Sequence, residues 1–184
     1  MRILLAQLGC GVSASSSQRA SKASRLGPAC AAGLLVAGCP NTPMRPAPQE
    51  CPAAAINDMK ALGIEPGAYI ELKIDANGPP PAKFPNHTFR EGPIVSLILY
   101  TTGVPDEFEG ALLHGQVIPG GGEHFFIRYE AAQLPGSIER IPVCAVALNP
   151  EGGGAGLPKK QGSTDTTWNG FNGTQADFVF SFSE

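Results

Sequence analysis

From residue 69 onward, apolar and polar residues alternate in short runs separated by glycine and proline, the pattern of strands rather than helices. Tyr69-Ile-Glu-Leu-Lys-Ile-Asp75 sets Ile70, Leu72 and Ile74 on one face and Tyr69, Glu71, Lys73 and Asp75 on the other, which predicts a half-buried strand. Residues 94–101 are apolar on both faces, as in a strand at the middle of a sheet. Residues 111–118 and 123–131 predict a hairpin about Pro119-Gly-Gly-Gly122, with Phe125, Ile127 and Tyr129 sharing a face. A further strand is expected over 138–148, around Ile141, Val143 and Ala145, and a last one over 175–183. In that last strand Phe178, Phe180 and Phe182 share a face against Asp177, Val179, Ser181 and Ser183. A single helix is expected over 51–62: Pro52 suits its first turn, Ile56, Met59 and Leu62 fall on one side, and Gly63 can end it. These elements predict a mainly β fold, an antiparallel β-sandwich or small β-barrel with one short N-terminal helix. Residues 76–92, with Pro79-Pro80-Pro81, and 149–174, with Glu151-Gly-Gly-Gly-Ala-Gly156, read as long irregular loops.

The first part of the chain is a different material. All 13 aromatic residues lie at or after Tyr69, and no acidic residue precedes Glu50. Arg2, Arg19, Lys22, Arg25 and Arg45 are the charges before it. Such a stretch has little to bury, and its charge is that of a targeting segment. Arg19, Lys22 and Arg25 precede a weakly apolar run that ends in Leu35-Val36-Ala37-Gly38-Cys39. Residues 40–50 then hold Pro40, Pro43, Pro46 and Pro48, an extended, semi-stiff composition at ~3.1 Å per residue. The division expected is a leader over 1–38, a proline-rich tether over 39–50, and one β-rich domain over 51–184.

Composition narrows the class. The 184 residues include 23 Gly and 18 Pro with only 16% charged residues, which excludes a helical bundle or coiled coil. A net charge of −3 without a basic stripe argues against nucleic acid as a partner. No apolar run is long enough for a membrane-spanning helix. The cysteines are Cys10, Cys30, Cys39, Cys51 and Cys144. Cys10 and Cys30 fall in the expected leader and Cys39 immediately follows it. Cys51 and Cys144 then remain as an even pair, expected to form a disulfide in an oxidising compartment.

Candidate chemistry is sparse, and no cofactor or metal is expected. Gly120-Gly-Gly122 and Gly152-Gly-Gly154 lack the helix, Lys and Ser/Thr of a phosphate cradle. No Cys-x-x-Cys or close Cys/His spacing exists for a metal. Pairing the hairpin symmetrically about its turn sets His114 near Ile127 and His124 near Val117, so the two would not share an ion; His87 falls in a loop. A Gly-x-Ser-x-Gly nucleophile elbow is absent, and Asp106, Glu107 and Glu109 form an acidic cluster of the kind that faces water. The loop Trp168-Asn169-Gly170-Phe171-Asn172-Gly173 is the one candidate ligand platform. Trp168 and Phe171 would offer stacking faces, Asn169 and Asn172 amide hydrogen bonds. The competing expectation is that Trp168 folds back to cover one end of the core.

Leu35-Val36-Ala37-Gly38-Cys39 resembles the lipobox of bacterial lipoproteins. The resemblance implies cleavage before Cys39, a diacylglycerol on its thiol and a lipid anchor in the cell envelope, periplasmic or outer-membrane. Cys51-Pro52, Met59-Lys60, Leu62-Gly63, Arg90-Glu91-Gly92-Pro93, Gly110-Ala-Leu-Leu-His-Gly115 and Pro142-Val143-Cys144 resemble small myxobacterial envelope proteins of unestablished function. Some similar sequences are described as serine/threonine protein kinases, but the glycine-rich loop, catalytic His-Arg-Asp and Asp-Phe-Gly of that fold are absent here. The reading is a lipid-anchored envelope protein with a binding or structural role, partnered by membrane lipid and by an envelope protein or polysaccharide. The alternatives are a small envelope hydrolase acting on polysaccharide and an interaction module of a serine/threonine kinase system.

Overall fold

The computed structural model describes residues 46–78 and 86–182; the leader, Cys39, most of the proline-rich stretch and Pro79-Pro80-Pro81 lie outside the described residues. In chain order the elements are β1 (Gln49–Glu50), α1 (Ala53–Ala61), β2 (Tyr69–Lys73), β3 (Asn86–Arg90) and β4 (Gly92–Thr102). A 3-10 turn at Asp106–Phe108 leads into β5 (Leu112–Pro119), β6 (His124–Gln133) and β7 (Ile141–Ala147). Then follow β8 (Leu157–Pro158), β9 (Thr167–Phe171), β10 (Gly173–Phe178) and β11 (Ser181–Phe182).

Six strands close into a ring in the order β2-β4-β5-β6-β7-β10, with β10 returning to β2, and every pairing is antiparallel. Of the two expected architectures, the fold is therefore the barrel. The ladders slip at Glu71/Leu72, His114/Gly115 and Tyr129/Ala131. Each slip adds bend and twist, which a ring of so few strands needs in order to close.

The interior is packed solid. Ile70, Leu72, Ile98, Leu113, Ile127, Tyr129, Val143, Ala145, Ala176 and Phe178 point inward and are at most 1% exposed. Burying one such large side chain stabilises the fold by about 1.5–3 kcal/mol. Tyr129 fits because Gly115, its cross-strand partner, has no side chain: a Cβ there would collide with the Arg128 carbonyl and lie 2.8 Å from the Tyr129 ring. The Tyr129 hydroxyl is satisfied at 2.8 Å by Ser96 Oγ, which bonds the Ile74 carbonyl oxygen at 2.5 Å. Burial pushes the phenol pKa upward, so the group stays neutral.

The ends and flanks are covered unequally. β3 and β9 pair as a separate ribbon that brings Phe89 and Trp168 against Phe125 at one end of the ring. Phe108, fully buried, follows β4 at the other. α1 lies on the outside of β7, where Cys51 and Cys144 are at disulfide-bond distance (S–S 2.06 Å) and the Cys144 N–H donates to Met59 Sδ at 3.5 Å. β1 pairs with β11 outside β6, where Arg128 donates to the Ala47 carbonyl at 3.0 Å and lies 5.0 Å over the Phe182 ring.

Four expectations are corrected. The segments 76–92 and 149–174 are not simply loops, since they hold β3, β8 and β9; their strands carry few apolar residues because only one side of the ribbon is buried. The hairpin is asymmetric: Pro119 pairs with Phe125, so the turn spans 120–124, and His114 opposes Ala131 instead of Ile127. His124 pairs with Pro158 of β8. The three late phenylalanines do not share a face, because the strand breaks after Phe178; Phe180 turns to the Lys60 ammonium on the helix side, and Phe182 lies beneath Arg128. The helix buries Ala55 and Met59, with Ile56 and Leu62 only partly covered, since its axis is set by the disulfide and β7.

Candidate functional site

The four residues of the expected platform sit on β9 and just beyond it, and alternation separates them. Trp168 points inward, 1% exposed, and stacks on Phe125 at 5.7 Å. Asn169 points outward, accepting from Thr88 Oγ1 at 2.8 Å and donating to the Gln161 carbonyl at 3.2 Å. Phe171 carries the Lys160 ammonium 4.1 Å over its ring, and Lys160 is ion-paired with Glu151 at 2.7 Å. Asn172 is buried: its Oδ1 accepts from the Asp75 N–H at 2.8 Å, and its carbonyl accepts from the Ile74 N–H at 2.9 Å. The structure thus does not gather the four on one surface. Asn172 ties the end of the ribbon to the chain just past β2, Asn169 holds β9 to Thr88 of β3 and to Gln161, and the buried Trp168 Nε1–H has no hydrogen-bond partner among the described residues.

The ribbon also brings together two residues far apart in the sequence. His87 Nε2 lies 2.9 Å from Asp75 Oδ2, whose other oxygen accepts from the Asn77 N–H at 2.9 Å. The pair lines a cavity of about 390 Å³ together with Arg90, Glu91 and Val117. A carboxylate that orients an imidazole is half of an acid–base apparatus. The nearest hydroxyl on its strand, Thr88, is engaged by Asn169, and no serine or cysteine lines the cavity. His114 is elsewhere, 3.0 Å from Gln133 Oε1, and the Asp106, Glu107 and Glu109 cluster faces solvent on the 3-10 turn. Among the described residues, no group of three His, Cys, Asp or Glu is placed to hold a metal ion.

A second feature escaped the sequence reading. At the slip between β2 and β4, Glu71 pairs with Tyr100 and Leu72 with Ile98, leaving Leu99 as the extra residue of a bulge. Leu99 and Tyr100 consequently both point outward, 44% and 55% exposed, in a strand otherwise buried at alternate positions. Gln175 of β10 is the partner of Glu71 on the other side. Between them lies a groove of about 390 Å³, walled by Leu99, Glu71, Gln175, Thr174 and Pro150. The signal was present as two adjacent apolar residues, Leu99-Tyr100, but a continuous apolar run reads equally well as a strand buried on both faces. Asp177 lies on the same outer face, and partial burial raises its carboxyl pKa.

Compared with known protein families, with curated proteins and with solved structures, the chain matches none.

Proposed function

We propose that the chain is a lipid-anchored cell-envelope protein acting through binding or structure, with no catalytic role. The Leu35-Val36-Ala37-Gly38-Cys39 sequence supports the anchor, and the proline-rich stretch after it supports a tether. The observation that carries the reading is the Cys51–Cys144 pair, whose Cα atoms are 6.1 Å apart. Disulfides persist in oxidising compartments such as the bacterial envelope. This pair follows the proline-rich stretch in sequence and fixes the start of the helix to β7. The test is Cys39→Ser. Wild type partitions into the detergent phase with an acylated mass beginning at Cys39, and the variant moves to the aqueous phase. Unchanged membrane fractionation of the variant refutes the anchor.

One observation favours a second reading, a small hydrolase acting on polysaccharide: Glu91 lines the same open cavity as the Asp75–His87 pair. Under it, release of reducing ends from a polysaccharide is lost in both His87→Ala and Glu91→Gln. Release that survives either change dismisses it.

A further inference from the structure

We infer that the groove across the outer face of β4, β2 and β10 binds a neutral polysaccharide chain, with a sugar ring lying on Tyr100 and its hydroxyls bonding to Glu71 and Gln175. This deepens the binding role proposed above and rests on it. The bulge presents an exposed aromatic ring directly opposite a carboxylate, which in turn is opposite an amide, in one row across three adjacent strands. A flat apolar ring face beside multiple hydrogen-bonding groups matches a sugar, whose C–H face is apolar and whose edge is hydroxylated. Glu71 and Gln175 of that row line the groove, and Tyr100 stands next to it as the cross-strand partner of Glu71, so the groove gives a sugar chain a path past the aromatic ring.

Charge and size select the ligand class. Glu71 and Asp177 make the face acidic, and the Lys73 ammonium is turned away to the Ala76 carbonyl at 3.0 Å, so an anionic polymer is disfavoured. A protein partner requires about 800 Å² per side around an apolar centre. Of the exposed large apolar residues among those described, only Leu99 and Tyr100 lie here; Ile138 is remote, beyond β6. In a ring of six, β6 stands three places from β2 in either direction. The described chain enters against the outside of β6, at Ala47 and β1, on the side of the ring opposite the groove.

The test uses the full chain in detergent micelles, run on native gels containing dextran, laminarin or hydroxyethyl cellulose, with alginate as the anionic comparison. Retardation is expected in at least one neutral gel. Tyr100→Ala weakens it about tenfold, the scale of a lost aromatic contact. Glu71→Gln weakens it several-fold, and Ile138→Ala leaves it unchanged. Absence of retardation in every neutral gel overturns the inference, as does retardation by alginate alone or an effect of Ile138→Ala equal to that of Tyr100→Ala. Self-association that depends on Tyr100, without retardation, also overturns it and identifies a second copy as the occupant. Retardation reads only the groove, so failure of the anchor in fractionation leaves it standing. Its absence from a protein that does fractionate with membranes defeats the groove alone.

Discussion

Two halves of the same ring are treated in opposite ways. β6 and β7 are largely buried on both faces: their inner sides fill the barrel, and their outer sides lie under α1, the disulfide and β11, whose Phe182 packs on Arg128 of β6. β2 and the far end of β4 are buried on one face only, and there the bulge turns Leu99 and Tyr100 out to solvent. Apart from the ribbon and the 3-10 turn, which close the ends, the covering elements α1, β1 and β11 of the described chain lie on one side. A barrel this small gains stability from cladding, so a side left bare next to an exposed aromatic residue is the side free to touch something else.

The comparison breaks first at the disulfide. Cys51→Ser with Cys144→Ser removes a link spanning 93 residues and is expected to cost about 4 kcal/mol, read from urea unfolding of wild type and variant under non-reducing conditions. A loss below about 1 kcal/mol would mean that the clad side is held by packing alone. Met59→Ala comes next, because its fully buried side chain fills the seam between α1 and β7; about 2–4 kcal/mol should be lost in the same assay. On the bare side, Tyr100→Ala should leave stability within about 0.5 kcal/mol of wild type while changing polysaccharide retardation. If Tyr100→Ala destabilised as much as Met59→Ala, the two sides would not differ in kind.

The smallest effect sharpens the same contrast by pH. Burial raises the Asp177 pKa above its ordinary 3.8, so the folded state binds this proton more tightly than the unfolded chain does. The contribution of this group therefore falls as pH rises from 3.8 through the folded pKa, and the charged form is slightly destabilising at neutral pH. Asp177→Asn should be more stable than wild type at pH 7 by less than about 0.5 kcal/mol, because solvent screens a carboxyl that is still partly exposed. The difference should vanish in unfolding curves taken below the lower end of that window.

The core was legible where one face of a strand is wet. Ile70, Leu72 and Ile74 announce themselves by period-two alternation, and all three are fully or almost fully buried. The same rule failed where a strand is buried on both sides or interrupted. Residues 94–101 read as uniformly central, and only the ladder with β2 shows that the exit of Leu99 and Tyr100 comes from one extra residue. β3 and β9 were hidden because their residues are largely polar, and their place depends on Phe89 and Trp168 finding Phe125. Asp75 and His87 could not be paired from sequence, since nothing local indicates that β3 folds back over the end of β2.

By itself, the amino-acid order determined that this is a mainly β chain with one short helix, and which residues of β2 face inward. Those properties follow from side-chain periodicity and residue chemistry, which act over a few positions. The closure of six strands into a ring, the placing of Gly115 against Tyr129, the His87–Asp75 contact and the outward bulge were decided only in the tertiary structure. Each depends on which distant strands become neighbours and in what register, and slipping a ladder by one residue reverses the face of every side chain beyond it.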